Sequence, residues 1–413
     1  MTPNQRTDRS IVVMCMPETG HFRRLRPLIH GLAARGIAVH VFTHRRFAPD
    51  VERARGQFHD MFEKYPLDEA DATSLPAPCR FVTYAAHFGE AISRDVSALN
   101  PSLIIHGAFT VIGRVVATRL GIPRVNVCTG HNVAPERYLA MMRRDTSVRL
   151  APECLRAVEM LRDSYGMVDA SPFCYLSSMS PLLNVYCEPP EFLDEEERRP
   201  FAPIAFFGSI ASAEDLGWSR ERRAVRRRED IGRSCTVYIA FGTVIWRTWQ
   251  DETLRLLDTM ATELCRSGNV RTVIGLGGAS VDPAAMAALS RPGVVVESFV
   301  DQWQMLQQAD VFITHQGLNS THEAIFHETP MISHPFFWDQ PALAAKCQRF
   351  GVALPLVSRP RGRVEAEDVR IAMDAIVNRH DAMHDALARA REWELAVIEQ
   401  RPAVLKQIVD LMQ

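Results

Sequence analysis

Near the N-terminus an unbroken apolar run, Ile11-Val-Val-Met-Cys-Met16, has the character of a parallel strand buried on both faces. A turn over Pro17 to His21 follows it. From Phe22 to Arg35 the apolar residues Leu25, Leu28, Ile29, Leu32 and Ala33 recur at helical spacing, and Gly36 stands where a helix C-cap belongs. Ile37 to Thr43 then reads as a second strand, which completes a βαβ unit. The pattern returns in the second half: a strand from Thr236 to Phe241, a turn at Gly242-Thr243, a helix over roughly Glu252 to Arg266 and a strand from Val270 to Ile274. A chain that starts this unit twice is expected to be α/β, with two Rossmann-like, doubly wound parallel-sheet domains. Further strands are expected at Phe81–Ala85, Leu103–Ile105 and Val125–Cys128, and then at Val294–Val296, Val311–Thr314 and Met331–His334.

A length of 413 residues suits that division. Residues 1–208 form the expected N-terminal domain, 209–233 a linker, 234–395 the C-terminal domain and 396–413 a closing helix. The linker holds a run of arginine and glutamate from Ser219 to Glu229, with an acidic patch upstream at Asp194 to Glu197; such a run reads as a solvated surface. Glu365 to Gln400 is a long polar helical region, and the helical spacing from Arg391 to Gln413 is broken by Pro402. The balance of 47 basic against 49 acidic side chains, net charge −2, argues against generic binding to nucleic acid or an anionic membrane. Nine cysteines without a CxxC pair suit reduced thiols in a cytoplasmic protein. The polar stretch from Met1 to Ser10 and the short run after it make neither a signal peptide nor a membrane span.

The segment Thr314-His-Gln-Gly-Leu-Asn-Ser-Thr-His-Glu323 leaves a strand and opens a helix, the place where free backbone N–H groups and the helix dipole attract a phosphate. Gly317 permits close approach of the backbone, Asn319 and Ser320 put short polar side chains in the first turn, and His315 can donate to a phosphate oxygen. The alternative is an ordinary helix with Asn319 or Ser320 as its N-cap. Gly242-Thr243 ends another strand of the same sheet, and strand C-termini share one crevice in this class of fold. Asp339-Gln340 follows a third strand and supplies a carboxylate beside an amide, suited to sugar hydroxyls. Together these outline a nucleotide-sugar site.

The stretch His315 to Glu323, then Pro330, then Phe336-Phe-Trp-Asp-Gln340, closely resembles the donor signature of the family 1 glycosyltransferases, the UDP-glycosyltransferase superfamily with the GT-B fold, of the bacterial natural-product type. Gly20-His21, Pro27-Leu28 and Ala33-Ala-Arg-Gly36 resemble that family's first loop and helix. The resemblance implies two Rossmann-like domains facing a central cleft, and a closing helix that crosses back onto the first domain. It implies that Phe299 stacks on the base in place of the usual tryptophan and that Gln302 lies at the base edge. His315, Gly317, Asn319 and Ser320 would contact the diphosphate, with Thr243 also reaching it. Glu323 would hold the ribose, and Asp339 and Gln340 the sugar. Asp301 stands where the family has proline.

The resemblance also implies that His21 is the general base, taking the acceptor's proton during an inverting displacement. The family backs that histidine with an aspartate, and Gly107 occupies the matching position here. His21, His87, His106 and His131 all follow candidate strands, so His106 or His131 is expected to support His21, with His87, Phe88 and Phe109 lining the acceptor pocket. An imidazole is a poorer cation stabiliser than a carboxylate, which favours an acceptor with an already acidic nucleophile, a phenol or carboxylic acid. The weakly periodic regions Phe47 to Pro78 and Arg137 to Tyr175, with Phe58, Phe62, Tyr65, Tyr138, Met141, Met142, Phe173 and Tyr175, are expected to set acceptor specificity. His380-Asp-Ala-Met-His384 lacks the glutamate and third ligand of a zinc site. The expectation is therefore a metal-independent transferase with no cofactor, using a UDP-sugar rather than a dTDP-sugar and a small lipophilic, aromatic or polyketide-like acceptor. A sugar-nucleotide epimerase and a non-catalytic sugar-nucleotide-binding helper are the competing readings.

Overall fold

The computed structural model describes residues 10–412 apart from 212, 223 and 225. The chain divides into two units: one runs to Ala211 and takes back the segment from Val397 onward, and the other is the stretch between them.

The first unit holds seven parallel strands: β1 Ser10–Met14, β2 Ala38–Thr43, β3 Gln57–Asp60, β4 Leu103–Gly107, β5 Arg124–Cys128, β6 Asn184–Tyr186 and β7 Ile204–Phe206. They lie in the order β3-β2-β1-β4-β5-β6-β7. The second unit repeats the plan with β8 Cys235–Ala240, β9 Val270–Gly275, β10 Val294–Glu297, β11 Val311–Thr314, β12 Met331–Ser333 and β13 Ala353–Pro355, in the order β10-β9-β8-β11-β12-β13. Both sheets reverse direction next to their first strand, and a reversal of this kind leaves an open crevice at the strand C-termini. In the first unit the reversal lies between β1 and β4, with Met14 beside His106; in the second it lies between β8 and β11, with Ala240 beside Thr314.

The helices used below are α1 Thr19–Ala33, α2 Cys79–Ser97, α3 Val111–Leu120, α4 Pro135–Arg144, α5 Pro152–Asp163, α6 Gln250–Arg266, α7 Leu318–Phe326, α8 Gln340–Phe350, α9 Ala366–Asn378 and α10 His380–Asp410. Central strands are buried on both faces: Ile11, Val13, Leu103, Ile105, Val125 and Val127 pack with Leu25, Leu28 and Leu32 of α1. Eight of the nine cysteines are buried, Cys265 being the half-exposed exception, and all nine are free thiols.

Four expectations are corrected. Phe81–Ala85 is not a strand but the start of α2, whose buried Phe81, Val82, Ala85, Gly89, Ile92 and Val96 follow helical spacing. The edge position goes instead to β3, a polar segment with one apolar residue, Phe58, which carries no strand signal. The region 137–175 contains two regular helices, α4 and α5. Pro402 does not break the last helix, which runs continuously through it. The lost N–H there is outweighed by burial of Val404, Leu405 and Ile408 in the first unit's core and by the Arg401 guanidinium, which donates to the carbonyls of Phe207 at 2.8 Å and Ile210 at 2.5 Å.

The charged run is also more than a solvated surface. Arg222 grips the buried Glu328 carboxylate with two bonds of 2.7 and 2.6 Å, and Arg226 donates to the buried Asp310 at 2.6 Å. The acidic patch folds as a short helix, Glu195–Arg198, begun by a capping box between Asp194 and Glu197.

Candidate functional site

In the second unit, β11 runs into His315, Gln316 and Gly317 and then α7. Gln316 has a φ of +60° and is fully buried. A left-handed residue other than glycine costs roughly 1–2 kcal/mol, so something must hold it. Its amide nitrogen donates to Thr321 Oγ1 at 3.0 Å, and its carbonyl oxygen accepts from Ser333 Oγ at 2.6 Å. These bonds turn Gln316 inward and fix the loop. The sequence offered no sign of this, since a glutamine between two predicted contact residues looks like a surface side chain.

His315 fills the space between two glycines. A Cβ added to Gly317 would lie 2.3 Å from His315 Nε2, and one added to Gly242 would lie 2.7 Å away. The imidazole is thus a reason for glycine at 317 that is separate from the expected approach of the backbone to a ligand. Burial pushes the His315 imidazole down to about 4, against a hydrogen bond to the Ala240 backbone that works the other way, so the ring carries no positive charge at pH 7.

The N-cap of α7 is Gly317, and no side chain caps the helix. This corrects the alternative in which Asn319 or Ser320 is the N-cap: they are the second and third residues of the helix. Its first turn has the geometry that receives an anion. Ser320 Oγ donates to Gln302 Oε1 at 3.2 Å, and Gln302 Nε2 donates to Glu323 Oε2 at 2.7 Å. Three predicted donor-site residues therefore form one connected chain beside that turn. Phe299, after β10, is 61% exposed, an open aromatic face. Asp301 accepts from the backbone N–H of Gln304 at 3.2 Å and so caps the short helix Gln302–Leu306, a local reason for a residue other than proline.

Thr243 is exposed beyond β8, and Asp339 is half-buried beyond β12 at the N-cap of α8. Gln340 also has a structural role. Its Oε1 accepts from the N–H groups of Phe336 at 2.8 Å and Phe337 at 3.2 Å, so its carbonyl shapes the turn.

In the first unit, His21 lies in the first turn of α1 rather than in a loop, because the helix begins at Thr19 and the N–H of His21 already bonds Glu18 O at 3.1 Å. Its Nδ1 is 3.0 Å from Thr129 Oγ1, and its ring tilts against Phe109 with centroids 4.6 Å apart. Burial, assisted by the Arg24 charge, pushes its imidazole down to about 3.

The expected supporting histidines have other partners. His106, inside β4, has Nδ1 at 3.1 Å from Gly107 O and Nε2 at 3.1 Å from Arg124. Burial and the Arg124 charge push it down to about 3 as well. His131 Nδ1 pairs with the buried Glu188 carboxylate at 2.8 Å. The hydrogen bond at His21 Nδ1 thus comes from Thr129, which the sequence reading missed.

His87 is an exposed residue of α2, not one that follows a strand, and sets its ring edge-on to Phe88 at 4.6 Å. Phe88 belongs to a cluster with Tyr65 and Tyr84, whereas Phe109 joins His21 to Tyr175, 5.4 Å away. Tyr138, Met142, Phe173 and Tyr175 are buried, and Met141 is 41% exposed. Among the described residues, no group of three or more His, Cys, Asp or Glu is placed to hold a metal ion, and no helix is long and apolar enough to cross a membrane.

Residues 191–388 match the profile of the UDP-glucuronosyl and UDP-glucosyl transferase family. An uncharacterized UDP-glucosyltransferase of Bacillus subtilis (strain 168) is 22% identical, covering 89% of this chain and 90% of its own. A zeaxanthin glucosyltransferase of Pseudescherichia vulneris is 31% identical over 146 residues, covering 35% of this chain and 34% of its own. The crystal structure of a calicheamicin glycosyltransferase superposes with a TM-score of 0.71 at 19% identity, covering 98% of this chain and 99% of its own, a likeness of fold.

Proposed function

As the chain belongs to the family 1 glycosyltransferases and has their GT-B fold, we propose that it moves a glucose-like sugar from UDP to a small lipophilic, aromatic or polyketide-like acceptor, inverting the anomeric carbon, with His21 as general base. The observation that carries the reading is the uncapped first turn of α7 with the Ser320–Gln302–Glu323 chain beside it.

The leaving diphosphate meets the positive end of α7, equivalent to about half a charge, together with a neutral N–H from His315. No metal enters this scheme. Phe299 offers its face to the base, with Gln302 at the base edge; Glu323 and Asp339 accept from ribose and sugar hydroxyls. Thr243, Asn319 and Ser320 complete the diphosphate contacts. In the first unit His21, neutral at pH 7, has a ring nitrogen to take the acceptor's proton, and Phe109 supplies an apolar wall next to it. Lipophilic acceptors are in keeping with the zeaxanthin and calicheamicin transferases among its relatives and neighbours.

The test is incubation of the protein with UDP-glucose and with dTDP-glucose against a panel of phenols, macrolides and carboxylic acids, read by product mass. Glycosylated product is expected, with UDP the better donor; absence of product from every pair overturns the assignment. His21→Ala should lower transfer roughly 100- to 10,000-fold while UDP affinity, by calorimetry, stays the same.

A further inference from the structure

Among the described residues, the side chain of His21 has one hydrogen bond, to Thr129, and Thr129 Oγ1 has one, to His21. Thr129 is 2% exposed. The carboxylate expected by resemblance has no counterpart: Gly107 has no side chain, and a Cβ there would already be 3.3 Å from Thr110 Oγ1. Among the described residues of the same unit the buried carboxylates are Glu188, which is bonded to His131, and Asp71, which accepts from the Ser74 N–H and from Thr83 Oγ1. The formal charge that bears on the His21 ring is that of Arg24, which opposes an imidazolium.

Building on the reading of His21 as the base, we propose that Thr129 is its positioning residue, and that a hydroxyl in this place restricts the enzyme to acceptors whose attacking oxygen is already acidic, phenolic or carboxylic, excluding alkyl alcohols.

The physical reason lies in what a hydroxyl can do. A carboxylate only accepts, so it would hold the proton on Nδ1 and leave the Nε2 lone pair free for the acceptor. A hydroxyl both donates and accepts. When Thr129 donates to Nδ1, the proton sits on Nε2 and the ring is blocked as a base; when Thr129 accepts from Nδ1–H, the ring is competent. In neither state does it supply negative charge to the imidazolium that forms. In the reaction the acceptor O–H proton passes to His21 Nε2, the acceptor oxygen bonds the anomeric carbon, and the bond from that carbon to the diphosphate oxygen breaks with its electron pair on the leaving group. The ring then returns its proton to water. With a weak base, the acidity of the acceptor must carry the step. A phenol near ~10 gives up its proton far more readily than a hydroxyl near ~16, the range of water.

The wild-type protein tests this without any variant. Transfer rates at saturating donor are measured against phenols of graded acidity and a primary alcohol of similar size. A steep dependence is expected, with phenols at least ~100-fold faster than the alcohol. Comparable rates overturn the proposal. Thr129→Val should lower kcat at least ~10-fold with donor KM unchanged, Thr129→Ser should retain it, and Thr129→Asp should narrow the gap between phenol and alcohol at least ~10-fold. If His21→Ala abolishes transfer but Thr129→Val does not lower kcat, the positioning role fails and the base stands. If His21→Ala retains transfer, both fail.

Discussion

His21 and His315 are both held well below the ordinary imidazole range, to about 3 and about 4, chiefly by burial. On the proposed reading His21 is thereby kept unprotonated for its role as base, and His315 carries no positive charge at pH 7. A base is active in its deprotonated form, so activity fails only as pH falls through the folded-state value. For a phenol of pKa ~10, kcat/KM should therefore show no acid limb between pH 8 and pH 5. A fall centred at pH 6 to 7 in the pH–rate profile contradicts this. At this scale the candidate residues could be singled out from sequence: His21, His315 and Ser320 by residue type and place, Gln302 and Glu323 by the family resemblance. Their partners could not. Thr129 meets His21 across a separation of 108 residues, and Gln316 turns inward because of a positive φ that side-chain type does not reveal.

At the scale of elements, the strand-to-helix joint between β11 and α7 does the arranging. Gly317 has an ordinary φ of −69°, so alanine there brings no backbone strain, and its cost is the contact with His315 alone. Gly317→Ala should displace the imidazole and raise the nucleotide-sugar KM about 10-fold, roughly 1.4 kcal/mol. Removing the ring as well should relieve the clash, so the His315→Ala/Gly317→Ala double variant should melt no lower than His315→Ala alone. Additive losses of stability contradict the packing argument. Buried strands such as Ile11–Met14 and Val311–Thr314 were readable because burial on both faces leaves a continuous apolar run. The helix over Cys79–Ser97 was not, because its opening residues are aromatic and β-branched and resemble a strand over a short window. The edge strand Gln57–Asp60 escaped for the opposite reason: strand pairing, rather than burial, defines it.

For the whole molecule, the depressed histidines have a thermodynamic consequence. His21 and His106 at about 3, and His315 and His334 at about 4, are all lowered first by burial. In the unfolded chain each returns to about 6.5. Between those values the unfolded state binds protons that the native state does not. The stability they contribute is thus complete above pH 6.5 and is lost as pH falls toward 4, by up to ~1.4 kcal/mol per group per pH unit. The melting temperature should be lower at pH 5 than at pH 7, checked by calorimetry; equal values contradict the burial of neutral rings. The charged run from Ser219 to Glu229 shows where sequence reasoning stops at this scale. Its composition announces solvent, yet Arg222 and Arg226 neutralise the buried Glu328 and Asp310, partners 106 and 84 residues away. The cysteines, finally, give the molecule a built-in reporter. With eight thiols enclosed and only Cys265 partly open, a water-soluble maleimide should attach once to the native chain. Each further adduct would then mark the opening of a particular region, Cys15 and Cys187 for the first unit's interior and Cys235 and Cys347 for the second's. The two units could be watched coming apart separately by mass, with no label engineered in.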